Sequence, residues 1–126
     1  MIVIVIVGVL SATALPNFLN TRNKAEAGSL IGTMTGFAKE CATNAMMGDT
    51  SSLSGLPSTI TVTKAGTGTV CSTGATIKNT TAFTAGKVVG LTCGVNSSGV
   101  AQKAVAASVT CTLPVDANGG ITGAWS

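Results

Sequence analysis

The sequence predicts an α+β fold: a long N-terminal helical spine, interrupted near Pro16, packed on a small antiparallel β-sheet. Three observations lead there. No residue from Met1 to Pro16 carries a side-chain charge, and most are aliphatic. From residue 22 to 47, apolar residues recur at spacings of three and four, the period of a helix with one buried stripe. From residue 87 to 126, apolar residues alternate with Thr and Ser, the period of a sheet with one wet face.

Residues 1–21 read as an apolar assembly stalk whose core is Met1, Ile2, Val3, Ile4, Val5, Ile6, Val7, Val9, Leu10 and Leu15. These side chains cover every side of a helix, and a helix apolar all round must be buried in protein or lipid. Fifteen helical residues ahead of Pro16 reach roughly 22 Å, at ~1.5 Å each, short of the ~30 Å hydrocarbon core of a bilayer. The rest of the chain is small and rich in Thr and Ser, so the simplest burial is many copies enclosing one another's stalks. The β-branched run Ile2–Val7 suits a strand in water. In an apolar environment a helix satisfies its own backbone and prevails. A cleaved secretory signal fits less well, because no Lys or Arg precedes the apolar run and the amphipathic pattern continues past Pro16. Pro16 gives no N–H to the ladder and Gly8 is a poor helix former. The segment between them is the weak link, where the helix is expected to open.

Residues 22–126 are expected to form the globular domain. Over 22–47, Ala27, Leu30, Ile31, Met34, Phe37, Ala38, Cys41 and Ala45 share one helical stripe, with Arg22, Glu26, Lys39, Glu40 and Thr43 off it. Gly48 is the stop signal. Gly28, Gly32 and Gly36 form a second row roughly opposite the stripe, each costing about 1 kcal/mol relative to Ala. Two readings of that row compete: space for a neighbouring subunit's backbone, or glycines tolerated on a solvent face. Residues 48–86 read as a long irregular loop, with one short strand near 59–63 and Cys71 as the tie that holds it. Strands follow over Lys87–Val95, with Val89, Leu91, Cys93 and Val95 inward, and over Ala104–Leu113, with Val105, Ala107, Val109, Cys111 and Leu113 inward. Asn96–Gly99 and Pro114–Gly120 are the turns, the latter centred on Asn118-Gly119. Ile121–Ser126 closes the sheet, with Ile121 and Trp125 facing in.

Composition narrows the function. Charged residues are 9% and aromatics 3%, and there is no His. The net charge of +3 is scattered singly, without the clustered Lys/Arg or aromatic platform of nucleic-acid binding. Without His no Ser-His-Asp or Cys-His arrangement exists, and the four carboxylates are isolated in sequence. No catalytic residue, cofactor or metal site is expected. Asp116 and Asn118 read as turn chemistry rather than calcium ligands. Asn79-Thr-Thr and Asn96-Ser-Ser fit the glycan-acceptor pattern, as chance permits in so Thr/Ser-rich a chain. Cys41, Cys71, Cys93 and Cys111, lacking metal-site spacing, read as two disulfides of an oxidising compartment, each stabilising by about 2–4 kcal/mol. Three pairings are open. Cys93 and Cys111 both fall on the sheet face turned to the helix stripe of Cys41, which favours Cys41–Cys111 with Cys71–Cys93.

The stretch Met1-Ile-Val-Ile-Val-Ile-Val-Gly-Val-Leu-Ser-Ala-Thr-Ala-Leu-Pro-Asn-Phe-Leu-Asn20 resembles the N-terminal helix of bacterial type IV pilins. The likeness covers residues 1–25 and is most specific at Ala14-Leu-Pro-Asn-Phe18; beyond it only the layout is similar. It implies a homopolymer of many copies, a surface filament built around the apolar helices, with the segment before Pro16 unwound. It also implies an earlier stage in the inner membrane, handled by pilus assembly machinery. Family members carry a basic leader, a glycine cleavage site, and a mature start with an N-methylated Phe and a Glu a few residues in. None of these is in the sequence, so the chain is expected to begin inside the mature protein, and that Glu maps to no residue here. A minor pilin or a secretion pseudopilin is the near alternative, although the calcium loop common in major pseudopilins is poorly matched around Asp116. A membrane-anchored module displaying its sheet and loops to ligands is the alternative of a different class. Adhesion, motility, DNA uptake and aggregation all use such fibres, and the sequence does not separate them.

Overall fold

The computed structural model describes residues 1–49, 53–63, 71 and 74–126, with the backbone alone of Pro16 and Asn17. One helix, α1 (Ile2–Met47), forms the whole spine. The interruption expected between Gly8 and Pro16 is absent from this single chain. Proline withholds one N–H, whereas opening the segment would release further ladder bonds with no neighbouring surface to offset them. Side chains also bond the carbonyls of this segment. Ser11 Oγ donates to the Val7 carbonyl at 2.8 Å, and Thr13 Oγ1 to those of Leu10 at 3.1 Å and Val9 at 3.3 Å. The helix ends where Gly48 turns left-handed at φ 70°, and the Gly48 and Asp49 N–H groups donate back to Ala45 and Asn44.

The expected stripe packs on the sheet. Ala27, Ile31, Met34, Ala38 and Cys41 are buried, joined by Ala42, while Leu30, Phe37 and Ala45 are half-buried. Four strands make the main antiparallel sheet in the order β1 (Ile60–Thr63), β2 (Thr76–Asn79), β5 (Cys111–Pro114), β6 (Ala124–Trp125). A separate hairpin pairs β3 (Thr92–Val95) with β4 (Ala101–Lys103). Ile60, Val62, Ile77, Leu113 and Val115 meet Met34 and the helix stripe in one core.

Three expectations need correction. β2 lies inside the stretch read as loop; parts of that stretch, at 50–52, 64–70 and 72–73, lie outside the described residues. The single sheet over 87–126 is two sheets. Its first strand is short because 87–91 is turn: Leu91 N–H donates to the Val88 carbonyl, and Gly90 adopts φ 85°. That turn buries Val88 and exposes Val89, reversing the expected face. The strand from Ala104 fails for a related reason. Ser108 Oγ accepts the Val105 N–H and Ser108 N–H donates to the Val105 carbonyl, so a hydroxyl captures backbone that would otherwise enter a ladder. Val105 is left exposed, and pairing resumes at Cys111.

The hairpin docks on the main sheet through Gly123. Its N–H donates to the Val95 carbonyl at 2.7 Å, and a Cβ there would collide with the Cys93 carbonyl. Only a residue without a side chain lets the two backbones approach this closely.

Candidate assembly surface

Each assembly-core residue predicted from the sequence lies on the surface of the single chain. Every one of Met1–Val7, Val9, Leu10 and Leu15 is more than half exposed, and Phe18 and Leu19 extend the same surface. From Met1 to Glu26 no described side chain is buried; the first is Ala27. The hydroxyls of Ser11 and Thr13 turn back onto the helix backbone, so they present little free polarity to a neighbour. Gly8 has open space around it, as do half-buried Gly28 and exposed Gly32 and Gly36.

Continuity through Pro16 changes the length of the stalk. The uncharged helix runs from Ile2 to Thr21, and at ~1.5 Å per residue these twenty residues reach roughly 30 Å, the thickness of a bilayer's hydrocarbon core. The limit of roughly 22 Å drawn at Pro16 is therefore too short. By length and composition this helix can cross a membrane.

The body reaches the foot of the stalk at Lys87. Lys87 Nζ donates to Asn20 Oδ1 at 2.8 Å, bridging 67 residues of sequence. Beside it, Asn23, Glu26 and Ala27 of α1 face Phe83, Thr84 and Val88 across a half-open groove of about 220 Å³. Arg22 and Lys24 are exposed on the same turns of helix.

All four cysteines are paired, but as Cys41–Cys71 and Cys93–Cys111. The preferred pairing, Cys41–Cys111 with Cys71–Cys93, is corrected. Cys93 and Cys111 sit on different sheets and face each other, 5.7 Å apart at Cα, rather than both facing the helix. Cys41 meets Cys71 ahead of β2, 4.8 Å apart at Cα, so the spine is stapled to the long loop as Cys71's role of tie requires. One bridge joins helix to loop and the other joins hairpin to sheet.

Sequence reasoning missed Asn79. The sequence marks it as a glycan-acceptor match within a loop, yet it is buried on β2 and serves as a polar hub. Its Nδ2 donates to the Thr81 carbonyl at 2.7 Å and to that of Val109 at 3.4 Å; its Oδ1 accepts the Cys111 N–H at 2.8 Å. An asparagine two residues after Ile77 in a Thr/Ile run was the available signal. Asn96, the other match, caps its hairpin by accepting from Ser98 and Val100 N–H. Asp116 Oδ1 accepts from Asn118 and Gly120 N–H, the turn chemistry expected of it. Among the described residues no three His, Cys, Asp or Glu side chains gather as metal ligands.

The chain matches no protein-family model, no curated protein and no solved structure.

Proposed function

We propose that this chain is a structural subunit that polymerises through its apolar helix into a type IV pilus-like surface filament. One observation carries the reading. A body with its own core and two disulfides bears a helix in which no described side chain of residues 1–26 is buried. Enclosing each large stalk side chain contributes about 1.5–3 kcal/mol, and other copies are the partners that supply identical stalks in unlimited number. A head-to-tail contact that repeats without closing makes a fibre. The stalks pack at the axis and the stapled bodies face outward. The open glycine row, exposed at Gly32 and Gly36, leaves room for a neighbour to come close. In the assembled state, neighbours on both sides supply the surface that the isolated chain lacks, and the Gly8–Pro16 segment opens there.

Before assembly the same helix spans the inner membrane, a stage supported by its roughly 30 Å of uncharged length. That length also favours the second reading, a monomeric surface module held by a single membrane anchor. Electron microscopy of material sheared from the cell surface separates the two. Fibres composed of this chain, lost when Val5 or Val9 is replaced by Glu while the body stays folded, support the polymer. Chain that remains monomeric in the membrane supports the anchor.

A further inference from the structure

We infer that the foot of the stalk is a basic collar that binds the anionic headgroups of a bilayer surface, and that Lys87 of the body is one of its members. The inference rests on the membrane-spanning stage proposed above. The uncharged helix ends at Thr21, and the next residues are Arg22, Asn23, Lys24, Ala25 and Glu26. Arg22 and Glu26 are separated by about 6 Å along the axis, at ~1.5 Å per residue. Sequence places two basic groups in this band; the fold adds a third. Lys87 Nζ is held on Asn20 Oδ1 at 2.8 Å, and Asn20 lies two residues from Arg22 and four from Lys24. At ~100° per residue, Arg22 projects roughly opposite Asn20 while Lys24 projects beside it, so cations surround the helix rather than line one side.

The collar carries three cations against one carboxylate, Glu26. The remaining charges, Lys39, Lys64, Lys78 and Lys103 against Glu40, Asp49 and Asp116, nearly cancel. Most of the net charge of +3 therefore sits where a membrane-spanning stalk meets the headgroups. Arg22, Lys24, Glu26 and Lys87 are all exposed, so their charged heads are available to lipid phosphate. Long basic side chains at this depth lay their aliphatic stems along apolar surface and extend the charge to the interface. The Lys87 contact also fixes the body against the bilayer, because the loop 81–88 is held at headgroup height.

The test uses the full chain in neutral-detergent micelles, equilibrated with vesicles either of phosphatidylcholine alone or of phosphatidylcholine mixed equally with phosphatidylglycerol. Each basic group near an anionic surface is worth about fivefold, so a net two charges predict about 25-fold stronger partition into the anionic vesicles at low salt. The preference should collapse in molar salt, where the screening length falls to ~3 Å. Lys87→Ala should lower it about fivefold, Lys87→Arg should preserve it, and Lys103→Ala, on β4, should leave it unchanged. Equal partition into both vesicles, or equal effects of Lys87→Ala and Lys103→Ala, would overturn the collar while leaving the spanning stalk intact. Failure to enter either vesicle would overturn the membrane stage itself, and the collar with it.

Discussion

Removing the Cys41–Cys71 bridge should lower the melting temperature of the body by about 16 °C. The bridge closes a sequence separation of 30. Freed from it, the unfolded chain regains loop entropy worth about 3.6 kcal/mol at 25 °C. Setting the stalk aside leaves 105 of the 126 residues. At ~2.1 cal/mol/K per residue, such a domain loses about 4.5 °C for each kcal/mol. The perturbation is Cys41→Ala with Cys71→Ala in a body beginning at Arg22, followed by circular dichroism on heating. The parent body should melt cooperatively, because its helix stripe, sheet and bridges close a core without the stalk. The Cys93–Cys111 bridge spans 18 residues, and its removal should cost slightly less, about 3.2 kcal/mol. A fall below about 5 °C for the first pair would refute the entropic reasoning. Non-reducing peptide maps showing Cys41 linked to Cys111 would refute the pairing itself. A featureless melt of the parent would show that the body needs its neighbours.

Substitutions at two further positions probe how the hairpin docks and how the main sheet is held. Gly123→Ala should cost at least about 2 kcal/mol, because its methyl meets the Cys93 carbonyl where backbone must give way; thermal melts of the body report it, and an unchanged midpoint would mean that the hairpin docks elsewhere. Asn79→Ala strands the buried Cys111 N–H and should cost about 2–3 kcal/mol. Asn79→Asp should be costly too, since a carboxylate cannot donate to Thr81 and Val109; wild-type stability in either variant would contradict the hub.

The helix was legible because one physical constraint wrote it. A stripe buried on one side must repeat near every 3.6 residues, and Ala27, Ile31, Met34, Ala38 and Cys41 do. Gly48 announced its end, and Asn96–Gly99 and the latter part of Pro114–Gly120, from Asp116 on, announced turns through residues that bond their own backbone. The short strand β1 showed by alternation, Ile60 and Val62 in, Thr61 and Thr63 out. β2 was not legible, because its four residues bury only Ile77 and a hydrogen-bonded asparagine, and the latter carries no apolar signal. The Val88/Val89 and Val105 errors share a cause: alternation continued through segments where Gly90 and Ser108 redirect the backbone. Cysteine pairing depends on which strands are neighbours, and strand order β1-β2-β5-β6 is a property of the whole sheet rather than of any local pattern. At the stalk, apolarity and the lack of a body large enough to bury it were evident from composition; helical continuity through Pro16 was not, since a proline in sequence gives only the cost of the helix and not the cost of its alternatives.

The most direct measurement is a cryo-electron-microscopy map of fibres sheared from cells that make this chain. Stalks that form the polymer core will appear at the fibre axis, with Met1 to Leu15 enclosed by neighbouring copies, the backbone non-helical somewhere between Gly8 and Pro16, and the disulfide-stapled bodies outside. A regular helix through Ala14 in the fibre would contradict the opening. Stalks exposed on the outside, or fibres that persist unchanged with Val5→Glu, would contradict the assembly role altogether.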